Sequence, residues 1–412
     1  MLGIDHFRSI LGELYTYCLI PYTAGRGRLS GEGVDAGVEW EFCVDATGKP
    51  TLFLGCELPF IAQAAGSEFK KYSLSGSSLD TQWRISCEAI IIPSYSLSVT
   101  NGGTRDVVTM TVTCGLASRL LLKRNESGHA NSPRKIVADI LNFRLPAHGK
   151  FVCSALSRDI VFERSSNAKA AEELMKSGRT LCGVFSTVEV PVCEDETVET
   201  AEELLKNILG FISLLSLNET RSPVIKLVSD GQDISISVSD VVRNRYHGNV
   251  LIDDVHVHDG IRRSFCESYA TYASMINELD LVRVLGLVRE AQTQRYLEMK
   301  CAALLMAYEC FLTAYLVSQG EDRAAVSNYN IQQKIGKANG YLRFIPAGQL
   351  GDALREGIRN PLFHQGMIPA MSSDEVYSTY VGYFDLLLRM ILRVLKYTGK
   401  FISRVTYRPI NV

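Results

Sequence analysis

A chain of 412 residues, 46% apolar and 21% charged, has the make-up of an ordinary folded protein and is long enough for two or three separately cored domains. Its eleven cysteines are scattered from Cys18 to Cys310 without a C-x-x-C pair, which argues against a disulfide framework or a structural zinc site and suits small core residues in a reducing cytosol. The net charge of −2 hides an asymmetry: from His258 onward 18 Lys and Arg stand against 14 Asp and Glu, so a polyanion would be drawn to the C-terminal part.

The opening Met1-Leu2-Gly3-Ile4-Asp5-His6 lacks a basic segment followed by an apolar one, so a cytoplasmic protein is expected rather than a secreted one. Residues 1–38 do not resolve into elements. Within them Gly25-Arg26-Gly27-Arg28-Leu29-Ser30-Gly31-Glu32-Gly33 reads as a flexible basic loop, since it matches neither a Walker A loop nor the dinucleotide fingerprint. From Glu39 to about Val257 the pattern is mainly β. Runs 38–44, 106–113 and 233–239 alternate or are β-branched, and Ser75-Gly76-Ser77-Ser78 and Asn101-Gly102-Gly103-Thr104 read as turns. Helices are expected over Ala168–Ser177 and Val198–Leu217. His256-Val257-His258 puts two imidazoles on one face of a strand with Asp253, Asp254 and Asp259 nearby. Such a set can hold a transition metal, but a solvated interdomain linker is the preferred reading.

After Asp259 the apolar period becomes 3.6. Helices are predicted over Phe265–Leu279, Leu281–Ser318, Ser327–Tyr341, Gln349–Arg359 and Asp374–Tyr397. The last opens on a capping-box signal, Ser372 with Glu375, and Gly399 is its expected stop. The run Cys301–Val317 is interrupted by Glu309 and is shorter than the roughly 20 residues that span a bilayer, so it reads as a core helix with no membrane role. A buried Glu309 needs a partner, and Arg359 is a candidate. Tyr269, Tyr272 and Tyr296 read as core or interface aromatics. The expected fold is α+β: a β-rich region over 1–257 with a few helices, then an all-α bundle over 258–412.

The segment Arg359-Asn360-Pro361-Leu362-Phe363-His364-Gln365-Gly366 carries the chemistry. Arg grips phosphate in bidentate fashion, and imidazole moves protons near neutral pH. Residues five apart on a straight α-helix lie about 140° apart around the axis. Pro361 predicts a break, with one helix ending near Arg359 and a short turn from Pro361 closed by Gly366, which would bring both side chains to one surface. A similar string, Arg243-Asn244-Arg245-Tyr246-His247-Gly248, has only three residues between Arg and His and follows a β-rich stretch, so it is rejected as a second site.

Arg359, Asn360, His364 and Gly366 resemble the signature of the HEPN superfamily: Arg, a polar residue, a short spacer, then His, often with Gly close behind. The resemblance covers roughly residues 262–400. Pro361 and the interposed Gln365 depart from the commoner form. The resemblance implies a compact helical domain, usually a homodimer, with metal-independent endoribonuclease activity and no cofactor. His364 would act as general base or acid, Arg359 would stabilise the phosphorane-like transition state, and Asn360 would orient the pair or donate to a phosphate oxygen. RNA is the expected partner, with a protein or small-molecule trigger at the N-terminal region and a role in defence or as a toxin. Arg389, Arg393, Lys396 and Lys400 at helical spacing make an expected RNA-tracking stripe, followed by Arg404 and Arg408. The alternatives are a non-catalytic HEPN-like dimerisation or ligand-binding protein, and a metal enzyme built on His256 and His258.

Overall fold

The computed structural model describes all residues except 1–17, 32, 58–69, 103–104, 126–133, 146–148, 156–157, 194, 242–245, 247, 249, 253, 255, 258, 346–352 and 369–370. The string around Arg243, Asn244 and Arg245, and His258 with Asp253, therefore fall outside the described residues. The chain forms two compact units: residues 1–151, 159–205 and 220–246 make the first, and 152–158, 206–219 and 247–412 the second. A β-rich N-terminal region and a helical C-terminal region give the α+β class.

The first unit is built on a thirteen-stranded sheet, of which residues 152–155 count with the second unit. Strands β1 (Ile20–Gly31), β2 (Val34–Val44), β3 (Pro50–Glu57), β4 (Lys71–Ser78), β5 (Trp83–Gly102) and β6 (Arg105–Leu116) form a six-stranded barrel in the order β4-β1-β2-β3-β6-β5, closed by pairing of β4 with β5. Closure leaves no free edge among these six. Strand β7 (Leu120–Arg124) pairs with β5 and leads into an open sheet. That sheet contains β8 (Arg134–Leu141), β9 (Lys150–Ala155), β10 (Arg158–Arg164), β11 (Val184–Val192), β12 (Val224–Ser229) and β13 (Gln232–Val238). Alternation sets the faces: on β8, Ile136, Ala138 and Ile140 are fully buried while Val137 and Asp139 between them are not. Helices α1 (Ala168–Lys176) and α2 (Val198–Ser216) lie close to where they were expected.

Two readings of the glycine- and serine-rich segments are corrected. Residues 25–31 belong to β1 and 75–78 to β4, and the two pair through Gly25 with Ser78 and Gly27 with Gly76. The small residues answer to packing rather than to turning. Trp40 fills the barrel interior, and a Cβ on Gly25 would stand 2.3 Å from its ring and 2.1 Å from the Ser77 carbonyl.

Asp139 supplies a pH signature for this unit. Burial pushes its carboxyl up to about 6, against the nearby Lys226, which lowers it, and with Asp233, which raises it. A folded chain that holds this proton more tightly than the unfolded one gains stability from it at low pH and loses that gain as pH rises through about 6. Asp139→Asn is therefore expected to be about 1–2 kcal/mol more stable than the parent at pH 7.5, and no more stable at pH 4. Urea midpoints at the two pH values check this; a gain at pH 4 alone would reverse the sign.

The second unit is helical. Helix α3 runs as α (Gly260–Ser264), π (Phe265–Tyr269) and α (Ala270–Met275). It is followed by α4 (Leu281–Thr293), α5 (Leu297–Ser318), α6 (Arg323–Asn328), α7 (Ile331–Leu342), α8 (π over Ala353–Arg359, then α over Asn360–Gln365) and α9 (Ser373–Val394). A two-stranded ribbon, β14 (Lys400–Ile402) with β15 (Pro409–Asn411), ends it. The single helix expected over Leu281–Ser318 is two, because Gln294 leaves the helical region at ψ 143°. Residues 206–216 of α2 join this unit, with Phe211 set among Phe265, Tyr269 and Tyr272 at centroid distances of 5.0, 5.5 and 5.2 Å.

Helix α5 is the unit's centre, with Ala303, Leu304, Tyr308, Phe311 and Leu312 all buried. It is a 22-residue helix, and by length and composition alone it is apolar enough to cross a membrane, so the expectation that the run is too short does not hold. Instead α5 packs against its neighbours, and the Tyr308 hydroxyl donates to the Tyr383 carbonyl of α9 at 2.6 Å. The Ser372–Glu375 capping box forms as expected: Ser372 Oγ accepts from the Glu375 amide at 3.3 Å and Glu375 Oε2 from the Ser372 amide at 2.8 Å.

Candidate active site

Pro361 cannot donate to the carbonyl four residues earlier, and its ring would strike that carbonyl in a regular α-helix. The chain does not break there. A π turn over Ala353–Arg359 widens the helix just ahead of Pro361, and Arg359 keeps helical φ −63° and ψ −53°. The predicted helix end near Arg359 is thus replaced by a π-to-α helix that Gly366 closes at φ 74°, its amide donating to the Leu362 carbonyl at 3.0 Å.

A continuous helix separates the two key side chains around its axis. Arg359 is half-buried and lines a hollow of about 420 Å³ with Arg283, Leu305, Glu309, Lys334 and Phe363. His364 is exposed, and among the described residues its ring makes no hydrogen bond or ion pair, with Arg359 or with any other group. Asn360 turns back one helical turn, its Nδ2 donating to Glu356 Oε2 at 3.3 Å, so it orients neither Arg359 nor His364 directly.

Glu309 organises the hollow. One oxygen accepts from Lys334 Nζ, and the other lies 3.9 Å from Arg359 Nε. Lys334 also donates to Thr313 Oγ1 at 3.0 Å, and its side chain is only 5% exposed. The close pair is therefore Glu309 with Lys334, while Arg359 is held loosely and also lies 5.9 Å from the Phe363 ring centroid. An adjoining hollow of about 710 Å³ shares Arg283, Glu309, Cys310, Ser327 and Lys334. In the smaller hollow three cations, Arg283, Lys334 and Arg359, stand against Glu309, which suits it to an anion, whereas the larger one also carries Glu278 and Asp280. Beside Arg359 in the smaller hollow, Met306 and Phe363 are 46% and 55% exposed.

Lys334 was not legible as a site residue, although Ile331, Lys334, Ile335 and Ala338 mark a buried helical stripe that contains it. Tyr269 and Tyr272 are core residues, whereas Tyr296 is 64% exposed. Asp254 accepts from the Ile261 amide at 2.9 Å near the start of α3, and among the described residues no three His, Cys, Asp or Glu converge as a metal site.

The expected basic stripe is corrected. Helix α9 stops at Val394, so Lys396 and Lys400 are not on its face. Arg389 and Arg393 both cover the Phe344 ring, at 4.8 and 5.5 Å, and burial pushes the Arg389 guanidinium below its usual range. The stop is a Schellman turn: Tyr397 donates to the Leu392 carbonyl and Lys396 to that of Arg393, each at 2.9 Å, with Lys396 at φ 63°. Glycine adopts that conformation without strain, so Lys396→Gly is expected to raise stability by about 0.5–1 kcal/mol, readable as a higher urea midpoint at unchanged slope.

Comparison with known proteins adds no relative: no family model, curated protein or solved structure matches the chain.

Proposed function

We propose that the helical unit is a HEPN-like, metal-independent endoribonuclease module, acting as a cytoplasmic homodimer, with the β-rich region of residues 1–257 receiving a protein or small-molecule trigger. The observation that carries this reading is the placement of Arg359 on the wall of an open hollow with a loose acidic partner, one helical turn before an exposed His364 free to meet a substrate. Arg359 leaves Glu309 for a bridging phosphate and neutralises charge as phosphorus becomes five-coordinate. His364 takes the proton from the ribose 2′-OH or gives one to the departing 5′-oxygen, leaving a 2′,3′-cyclic phosphate and a 5′-hydroxyl. One imidazole does not serve both roles in one step. Water takes the other role, a second copy places its own Arg359 against this His364, and the exposed Met306 and Phe363 beside Arg359 offer a surface for it. A defence or toxin role follows the resemblance.

The position of His364 outside the Arg359 hollow favours one competing reading, in which the unit dimerises or binds a ligand without catalysis. Incubating labelled RNA in EDTA with the full chain and with the Arg359→Ala/His364→Ala variant separates the two. Cleavage by the parent alone supports the nuclease. Intact RNA in both, with nucleic-acid and phage-protein triggers supplied, supports the scaffold.

A further inference from the structure

A second site, built without Arg359 or His364, lies where the end of α4 meets α5, α9 and the segment after β14. It is a small hollow of about 130 Å³ lined by Gln292, Lys300, Tyr377, Tyr380, Arg404 and Tyr407. Its volume is about that of four liquid waters, enough for one tetrahedral oxyanion.

Both cations converge on Gln292. Lys300 Nζ donates to the Gln292 backbone carbonyl at 2.7 Å, and Arg404 Nη2 donates to Gln292 Oε1 at 3.0 Å. A guanidinium only donates, so the amide oxygen must face Arg404, which fixes the orientation of the Gln292 amide. Its Nε2 is then buried with no acceptor. Uncompensated buried donors are rare in folded proteins. Asp385, which acts on Arg404, does not fill the gap, because it is taken by Ser403 Oγ and by the Arg404 and Val405 amides. The α4 C-terminus takes up part of the Lys300 charge, and Asp385 offsets that of Arg404. Even so, burial and the neighbouring Arg404 both push the Lys300 ammonium below its usual range. The Tyr380 hydroxyl is committed to the Ala291 carbonyl at 2.8 Å and keeps its lone pairs free to accept. At the mouth, Tyr377 and Tyr407 are 48% and 66% exposed and hydrogen-bonded to each other through their hydroxyls.

We propose that this hollow binds a phosphate monoester, with Lys300, Arg404 and the Gln292 amide holding the phosphoryl group and the exposed Tyr377 and Tyr407 rings meeting the base of a nucleoside monophosphate. Charge-assisted donors suit the dianion, and planar aromatic faces accept any base.

The test is calorimetry and thermal unfolding of the full chain with adenosine monophosphate, inorganic phosphate and adenosine, repeated with Lys300→Met and Gln292→Met. The monophosphate and phosphate are expected to raise the midpoint of the parent, and adenosine is not. Each substitution should weaken phosphate binding at least tenfold. Without ligand, Lys300→Met should unfold no earlier than the parent, since it removes one of two facing cations; this separates lost binding from a damaged fold. Phosphate binding equal to that of the monophosphate removes the role given to the two tyrosines. Absence of both at millimolar concentration means that the hollow holds water only and overturns the proposal. Equal binding by the parent and both variants overturns it too, by placing the anion elsewhere.

Discussion

His364→Ala is expected to lower RNA cleavage about 10²–10⁴-fold, the usual worth of a general acid or base. Arg359→Ala should cost about 10²–10³-fold through lost stabilisation of the transition-state charge. Cleavage of end-labelled RNA in EDTA by each purified full-length variant is the measurement. The more informative form mixes the two variants within one dimer. Because the helix does not break at Pro361, Arg359 and His364 of one copy are turned apart, and in the proposed nuclease a site would take His364 from one protomer and Arg359 from the other. A heterodimer of Arg359→Ala and His364→Ala chains then retains one intact composite site and should recover a quarter to a half of parental activity, about 25-fold or more above either variant alone. Mixing without recovery would mean that each pair acts within its own chain, or that neither residue acts at all.

The sequence signals that succeeded are those in which a side-chain pattern and a backbone period coincide. The run at 233–239 does form a strand, β13, although its burial does not alternate and Ser237 is buried between Ile236 and Val238, while the Ser372–Glu375 box stands in the fold as expected. Failures come where another part of the molecule sets the backbone. Gly25, Gly27 and Gly76 look like loop residues until Trp40 and the close β1–β4 approach supply a reason for lacking Cβ atoms. Pro361 signals a break locally, but a π turn absorbs it, and such a turn leaves no composition mark. Gly399 is the natural helix stop, yet Lys396 takes the left-handed position first. At the candidate site, Arg359 and Glu309 were both marked by residue type, the one by its motif and the other by charge in an apolar run. Lys334 was hidden because lysine on a helix is ordinarily a solvated residue.

Lys334→Met is expected to destabilise the helical unit by about 1–2 kcal/mol, since Glu309, 31% exposed and 3.9 Å from Arg359, loses its close partner but keeps a looser one. For a unit of this size that corresponds to a fall of about 2–8 °C in its melting midpoint, measured by calorimetry. The pair merits this assignment because Lys334 is 4% exposed and its two acceptors, Glu309 and Thr313, lie on one face of α5. Replacing both charges, as Lys334→Met/Glu309→Leu, should recover most of the loss, because a buried ion pair and a packed apolar pair differ little in net worth. The same series reads on catalysis. With Lys334 gone, Glu309 has Arg359 as its remaining cationic partner, now 3.9 Å away, and the carboxylate closes on the guanidinium that the phosphate needs. Lys334→Met is thus expected to cleave RNA more slowly at temperatures where it remains folded, and the double variant to regain the rate with the stability. A single variant that melts with the parent would show that Lys334 is not a buried charge bound to Glu309. A double variant that regains stability but not cleavage would detach Glu309 from the control of Arg359.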